Sequence, residues 1–299
     1  MKKPIFTGAG VAIVTPFTGK DLKINFGVLE KLIEFQISNG TDAIVVCGTT
    51  GEKSTLTNKE HIEVIKFTVK TVSKRIPVIA GTGSNDTKHS LEISNEVEKL
   101  GVDGLLMVTP YYNKTSQDGL LKSFSYIEKN VSTPILLYNV PSRTGVNIKP
   151  ETYKELSKLK LINGIKEANG NISDFAKTVA LCKDGLNYYC GNDDQITAFM
   201  SLGAKGVISV LSNILPAVVH DICKFALEKE YDKSSSLQLQ YLELCNMLFC
   251  DVNPIPVKEA LNIIGFDVGM GRMPLTSLSR ENIIKLKSTL IKYGLTAGK

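Results

Sequence analysis

The stretch DAIVVCGTTGEKSTLTNKEHIEVIKFTVKTVSKRIPVIAGTG (residues 42–83) changes its hydrophobic rhythm twice. It opens on DAIVVCGTT (42–50), a short β-branched apolar run, and closes on another, IPVIAGTG (76–83). Between them NKEHIEVIKFTVKTVSK (58–74) spaces Ile62, Ile65, Val69 and Val72 at helical intervals, so that they line one stripe. A strand that is apolar throughout, without polar alternation, is buried on both faces. Strand–helix–strand is the unit that joins two such strands in parallel.

The same unit repeats along the chain. Further apolar runs are GAGVAIVTPF (8–17), VDGLLMVTP (102–110), TPILLYNVP (133–141), LINGIKEA (161–168), LNYYCGNDD (186–194) and AKGVISV (204–210). With the first two they number eight. NFGVLEKLIEFQISNG (25–40) is another amphipathic segment, with Leu29, Leu32, Ile33 and Ile37 apolar and Gly40 as its stop. Eight βα units in succession are most economically closed into a (β/α)8 TIM barrel, with an open doubly wound sheet as the alternative. After about residue 225 strand signals cease, and LQLQYLELCNMLFC (237–250), PVKEALNIIG (256–265) and RENIIKLKSTLIKYG (280–294) are helical by spacing. The expected organisation is a catalytic barrel over residues 1–224 and a small C-terminal helical domain over 225–299. Its apolar residues need a partner surface, either the barrel or another subunit.

Composition narrows the function classes. The 299 residues are 43% hydrophobic and 22% charged, an ordinary globular balance, and the net charge of +5 comes without any block of five or six basic residues. Trp is absent and aromatics are scattered, so neither a nucleic-acid footprint nor a base-stacking platform is present. No run approaches the length of a membrane span. MKKPIFTGAGVAIVTPF faintly mimics a leader, but Pro4 and repeated glycines break its apolar region, and it reads as the first strand. Six cysteines (Cys47, Cys182, Cys190, Cys223, Cys245, Cys250) and three histidines offer no close metal spacing. The cysteines read as reduced core residues of a cytoplasmic protein. No GxxxxGK occurs, and GTGSND (81–86) lacks the third glycine of a dinucleotide fingerprint.

Barrel active sites form at the carboxyl ends of the strands. That rule selects Thr49, Thr50 and Glu52, then Thr109, Tyr111 and Tyr112, then Tyr138, Asn139 and Arg143, then Lys166 and Glu167, and finally Gly191 to Asp194. Lys166, in LINGIKEANG (161–170), either leaves the core for water or enters a pocket to react. A desolvated ammonium gives up its proton more readily, and the free amine attacks carbonyls to form a Schiff base. Such chemistry needs a proton-transfer group, a carboxylate anchor and exclusion of water. Tyr138 suits the first role, or else caps the barrel core. Thr49 and Thr50, between Gly48 and Gly51, suit the second, or else form an ordinary tight turn. Arg143 is a fork for a second carboxylate, or a surface ion pair. Glu52, Glu167, Asp193 and Asp194 receive no catalytic role, since loop carboxylates and caps are commoner.

At this point GTTGE (48–52), YNVPSRTG (138–145), GIKEA (164–168) and NPIPVK (253–258) resemble the dihydrodipicolinate synthase family, in the family's order and over nearly the whole chain. The resemblance implies a cytoplasmic, cofactor-free enzyme of diaminopimelate and lysine biosynthesis. In it Lys166 forms an imine and then an enamine with pyruvate, and the enamine attacks L-aspartate 4-semialdehyde. The new amino group displaces the lysine as the ring closes, with loss of water. By the same carry-over Tyr138, Thr50 and Tyr112 form a proton relay, Tyr112 reaching in from a neighbouring subunit. Thr49 and Thr50 hold the pyruvate carboxylate and Arg143 that of the semialdehyde, while Gly191 and Ile208 line the pocket. A homodimer is then the minimum active unit, and the family often forms tetramers.

The sequence departs from the family at Ser142, where glycine is usual, and at a lysine-feedback site found in some members. His61, Asn85 and Tyr111 match that site, but Lys53 replaces a small residue, Asn58 a histidine and His89 an acidic residue. An added ammonium and a lost carboxylate disfavour a cationic effector, so feedback by L-lysine is expected to be weak or absent. Sister aldolases such as N-acetylneuraminate lyase share the lysine, tyrosine and GTTGE-like loop, but resemble neither Arg143 nor NPIPVK. A barrel that binds a 2-keto acid without turnover is the rival from another class.

Overall fold

The eight apolar runs all become strands, and the computed structural model describes them within residues 2–296. Residue 1 and residues 297–299, the outermost positions of the two expected units, lie outside the described residues. The strands are β1 (Gly8–Ala12), β2 (Ala43–Val46), β3 (Val78–Gly81) and β4 (Gly104–Val108). They continue with β5 (Ile135–Asn139), β6 (Ile162–Glu167), β7 (Asn187–Cys190) and β8 (Gly206–Ser209). Each pairs in parallel with its sequence neighbour and β8 returns to β1, closing a TIM barrel in place of the open-sheet alternative. Every barrel-strand residue except Val108 is buried, as apolarity without alternation requires.

The surrounding helices follow from caps and stripes. α1 (Phe26–Ser38) starts at Asn25, whose side chain accepts from the N–H of Val28. α2 (Asn58–Val72) opens on a capping box of Thr57 and Glu60. Its buried stripe runs through His61, Val64, Ile65, Thr68 and Val72, whereas Ile62 and Val69 are half-buried. The expected stripe was drawn through apolar residues alone. Two positions of the true one are polar but satisfied: His61 Nε2 bonds the carbonyl of Gly81 (2.9 Å) and Thr68 Oγ1 donates to Val64 O (2.9 Å).

Then come α3 (Thr87–Glu98), α4 (Gln117–Glu128), α5 (Pro141–Thr144), α6 (Pro150–Leu156), α7 (Ile172–Cys182), α8 (Ile196–Ser201) and α9 (Pro216–Leu227). The C-terminal helices are α10 (Tyr231–Gln240), α11 (Leu242–Met247), α12 (Ile255–Ile263) and α13 (Arg280–Lys292). The expected helix over 237–250 is thus two pieces. It breaks at Tyr241 (φ −102°, ψ 9°), whose ring stacks on Tyr293. Leu244, Val257, Leu261, Leu286 and Leu290 join the core that fills the space between barrel wall and helices.

A second, smaller core fills the barrel itself, with Ala43, Val45, Ile79, Leu106, Leu136, Tyr138, Tyr189 and Ile208 pointing inward. Ile162 and Ile165 both belong to the outer core although they lie three positions apart, an odd offset, so alternation fails between them. The cause is a bulge. Ile135 pairs with Ile162 but Leu136 pairs with Gly164, leaving Asn163 over. The extra residue reverses the phase of β6, so Lys166 points into the barrel rather than towards the helices.

Candidate active site

Lys166 stands in register with Tyr138 on one side and Tyr189 on the other. It is 6% exposed, with Nζ 4.4 Å from the centre of the Tyr138 ring. Tyr189 packs against Phe6 beneath and donates its hydroxyl to Phe6 O (2.7 Å). The lysine therefore sits inside the barrel between two tyrosine-bearing strands, its Nζ over the ring of Tyr138.

A cavity of about 300 Å³ opens at the carboxyl ends of the strands. Thr49, Tyr138 and Arg143 line it, together with Lys53 and Tyr111. Thr50 is buried and its Oγ1 accepts from Asn253 Nδ2 (3.0 Å). Arg143 sits on the single turn of α5, and its guanidinium donates to Asn253 O (3.1 Å). Asn253 thus bridges two of the expected anchors, while its own Oδ1 is buried and unpartnered. Ile208 is fully buried in the inner core. Gly191 donates its N–H to Glu167 O (2.8 Å), and a Cβ there would lie 2.6 Å from that of Ala168. Tyr112 is 91% exposed, with φ 67°, and stands away from the cavity of its own chain.

The remaining strand-end candidates are structural. Glu167 points away from Lys166 into the wall, where Asn139 Nδ2 (2.9 and 3.1 Å), Tyr153 Oη (3.0 Å) and the N–H of Asn169 (2.9 Å) all donate to it. Burial pushes its carboxyl up to about 7. Asp193 accepts the N–H groups of Val210 and Leu211 (3.0 and 2.8 Å), and burial raises it. Thr109 Oγ1 donates to Thr144 Oγ1 (3.0 Å). Asp194 is exposed.

The contacts of two residues already named were not legible in sequence. Lys53 is half-buried and donates to the carbonyls of Thr82 and Gly83, and desolvation brings its ammonium down to about 8. Glu52, left without a role, pairs with Lys258 in a contact 206 positions apart along the chain (2.6 Å). The second had no local signal beyond the motif NPIPVK. Among the described residues, no cluster of three or more His, Cys, Asp or Glu could hold a metal, and no helix is long and apolar enough to cross a membrane.

A closed barrel with a lysine rising inside it, a tyrosine beside that lysine and an arginine at the mouth defines a TIM-barrel enzyme with a strand-end lysine site. The chain belongs to the dihydrodipicolinate synthetase family, whose profile matches residues 5–293. The 4-hydroxy-tetrahydrodipicolinate synthase of Caldicellulosiruptor saccharolyticus is 54% identical over 292 residues, 98% of either chain. Among solved structures, the chloride-inhibited dihydrodipicolinate synthase of Acinetobacter baumannii complexed with pyruvate superposes with a TM-score of 0.95 at 41% identity. The match covers 97% of this chain and 99% of that one. The enzyme of Cyanidioschyzon merolae with lysine bound gives 0.95 at 36% identity, covering 98% and 100%.

Proposed function

We propose that this chain condenses pyruvate with L-aspartate 4-semialdehyde to give 4-hydroxy-tetrahydrodipicolinate. The observation that carries the reading is Lys166, held inside the barrel against Tyr138, which itself lines a cavity together with Thr49 and Arg143. The Lys166 amine adds to the pyruvate ketone and water leaves as the imine forms. Loss of a C3 proton gives the enamine, which bonds to the aldehyde carbon. The substrate amine then attacks the imine carbon, closes the ring and releases the lysine. The imine is its own electron sink, so the chemistry calls for no cofactor or metal. Thr49 and Thr50 hold the pyruvate carboxylate, Arg143 that of the semialdehyde, and Gly191 and Ile208 border the reacting carbons. Tyr138, Thr50 and a neighbour's Tyr112 pass the protons. The working unit is a homo-oligomer, a dimer at least and a tetramer by family habit, in the cytoplasm. Residues 1–224 act as the catalytic barrel and 225–299 as a helical domain.

Borohydride trapping with pyruvate, read by peptide mass spectrometry, tests the reading. The expected result is an adduct on Lys166 that L-aspartate 4-semialdehyde depletes. An adduct untouched by the semialdehyde points to a sister aldolase, and no adduct removes the mechanism.

The enzyme is also expected to ignore L-lysine. Lys53 places an ammonium in the cavity beside Tyr111, and His89 supplies no carboxylate to pair with a cationic effector. Initial rates should hold through the millimolar range, and inhibition below a millimolar would sink the idea.

A further inference from the structure

The turn that presents Thr49 and Thr50 is bent at both ends and held from outside. Cys47 (φ 54°) and Glu52 (φ 53°) both occupy the left-handed region without being glycine. Inside the turn the N–H of Glu52 donates to Thr49 O (3.0 Å), and outside it Thr15 Oγ1 donates to Gly51 O (2.7 Å). The Glu52 carboxylate, 3% exposed, leaves the cavity altogether. It receives Lys258 Nζ on Oε1 (2.6 Å) and the N–H of Arg272 on Oε2 (2.9 Å). Lys258 is 2% exposed and donates as well to Thr15 O (3.0 Å) and Met270 O (3.1 Å), so all three ammonium protons are spoken for. Phe17 lies against both cations, 4.2 Å from Lys258 Nζ and 4.5 Å from the Arg272 guanidinium.

A buried ion pair is a poor source of net stability, because desolvation offsets the attraction and apolar replacements are often neutral. What this one supplies is geometry. It ties a strained turn at the cavity mouth to α12 of the C-terminal helices by contacts that allow few other arrangements. We propose that Glu52 and Lys258 are positioning residues, through which the C-terminal helices hold the Thr49–Glu52 turn in the conformation that receives the substrate carboxylate. The inference rests on the reading of Thr49 and Thr50 as the pyruvate anchor.

The test compares the wild-type enzyme with the double variant E52Q/K258M, which removes both charges and leaves neither unpaired. Thermal midpoint, pyruvate KM, kcat and borohydride trapping are measured on each. The expected result is a midpoint within a few degrees of wild type, a pyruvate KM raised about tenfold and a smaller change in kcat, with Lys166 still trapped at saturating pyruvate. A double variant with wild-type KM overturns the proposal. Should that variant fail to fold, Glu52→Asp keeps both charges but shortens the tie to Lys258 by one methylene, and a pyruvate KM unchanged from wild type again overturns the proposal. Failure to trap the wild-type enzyme at Lys166 instead overturns the pyruvate reading, before any variant is compared.

Discussion

Two neighbouring side chains on β6, a lysine and a glutamate, enter opposite environments. Lys166 enters the barrel, where Tyr138 faces it; Glu167 enters the wall, where only neutral donors meet it. That difference has a pH signature. Burial raises the Glu167 carboxyl from 4.5 to about 7, so between these values the folded chain holds a proton that the unfolded chain has lost. Its contribution is therefore fully present below 4.5 and is lost as pH rises through 7, on the order of 3 kcal/mol in all. His61 runs the other way. Burial first, and then Lys53, lower it to about 4, so the unfolded chain gains a proton below 6.5 that the folded one refuses. The two slopes oppose, and a single stability profile would blur them. Glu167→Gln separates them, because it keeps an acceptor for Tyr153 and removes the titration. The difference in thermal midpoint between wild type and Glu167→Gln should shift by a few degrees against wild type between pH 5 and pH 8. Parallel profiles would mean that the wall solvates the carboxylate after all.

At the scale of the element, β6 depends on one irregularity. Asn163 is the extra residue that turns Lys166 inward, and Gly164 beside it lets β7 approach. A Cβ on Gly164 would overlap the carbonyl oxygen of Asn187, which is backbone and cannot swing away. Gly164→Ala should therefore cost about 1–3 kcal/mol as overpacking and lower the urea midpoint, with m unchanged. An unshifted midpoint would mean that the two strands can part without penalty. The element scale is also where sequence reading divides. Eight strands were legible, because a parallel strand covered on both faces must be apolar at every position. The face of Lys166 was not, since Ile162 and Ile165 break alternation, and the Asn–Gly pair between them is a weak bulge signal. The stripe of α2 was displaced because His61 and Thr68 are buried polar groups whose partners no pattern reveals. Lys166, Tyr138, Thr49 and Arg143 are candidates by the rule that barrel active sites form at strand ends, and Tyr138, Thr49 and Arg143 share one cavity. Asn253 and Lys258 became contacts of that site only through folding, 203 and 206 positions from their partners.

At the scale of the molecule, one residue of the proposed relay is out of place in a single chain. Tyr112 is 91% exposed and held at φ 67°, in a loop where Asn113 donates its side chain to Asn85 O (3.0 Å) and its N–H to Tyr111 O (2.9 Å). A large aromatic presented outward on a braced turn suits insertion into a second copy better than return to its own cavity. Subunit mixing distinguishes these directly. In a dimer that combines one Lys166→Ala chain with one Tyr112→Phe chain, sharing across the interface makes one site doubly defective. The other has both native residues. Random reassociation in equal amounts leaves about half the dimers mixed, so activity should recover to about a quarter of wild type, well above the mean of the two parents. If Tyr112 served its own chain, every site in the mixture would lack one of the two residues, and the mixture would equal that mean. Recovery would also have to vanish when the chains are diluted until they no longer pair, since the native site exists only at the interface.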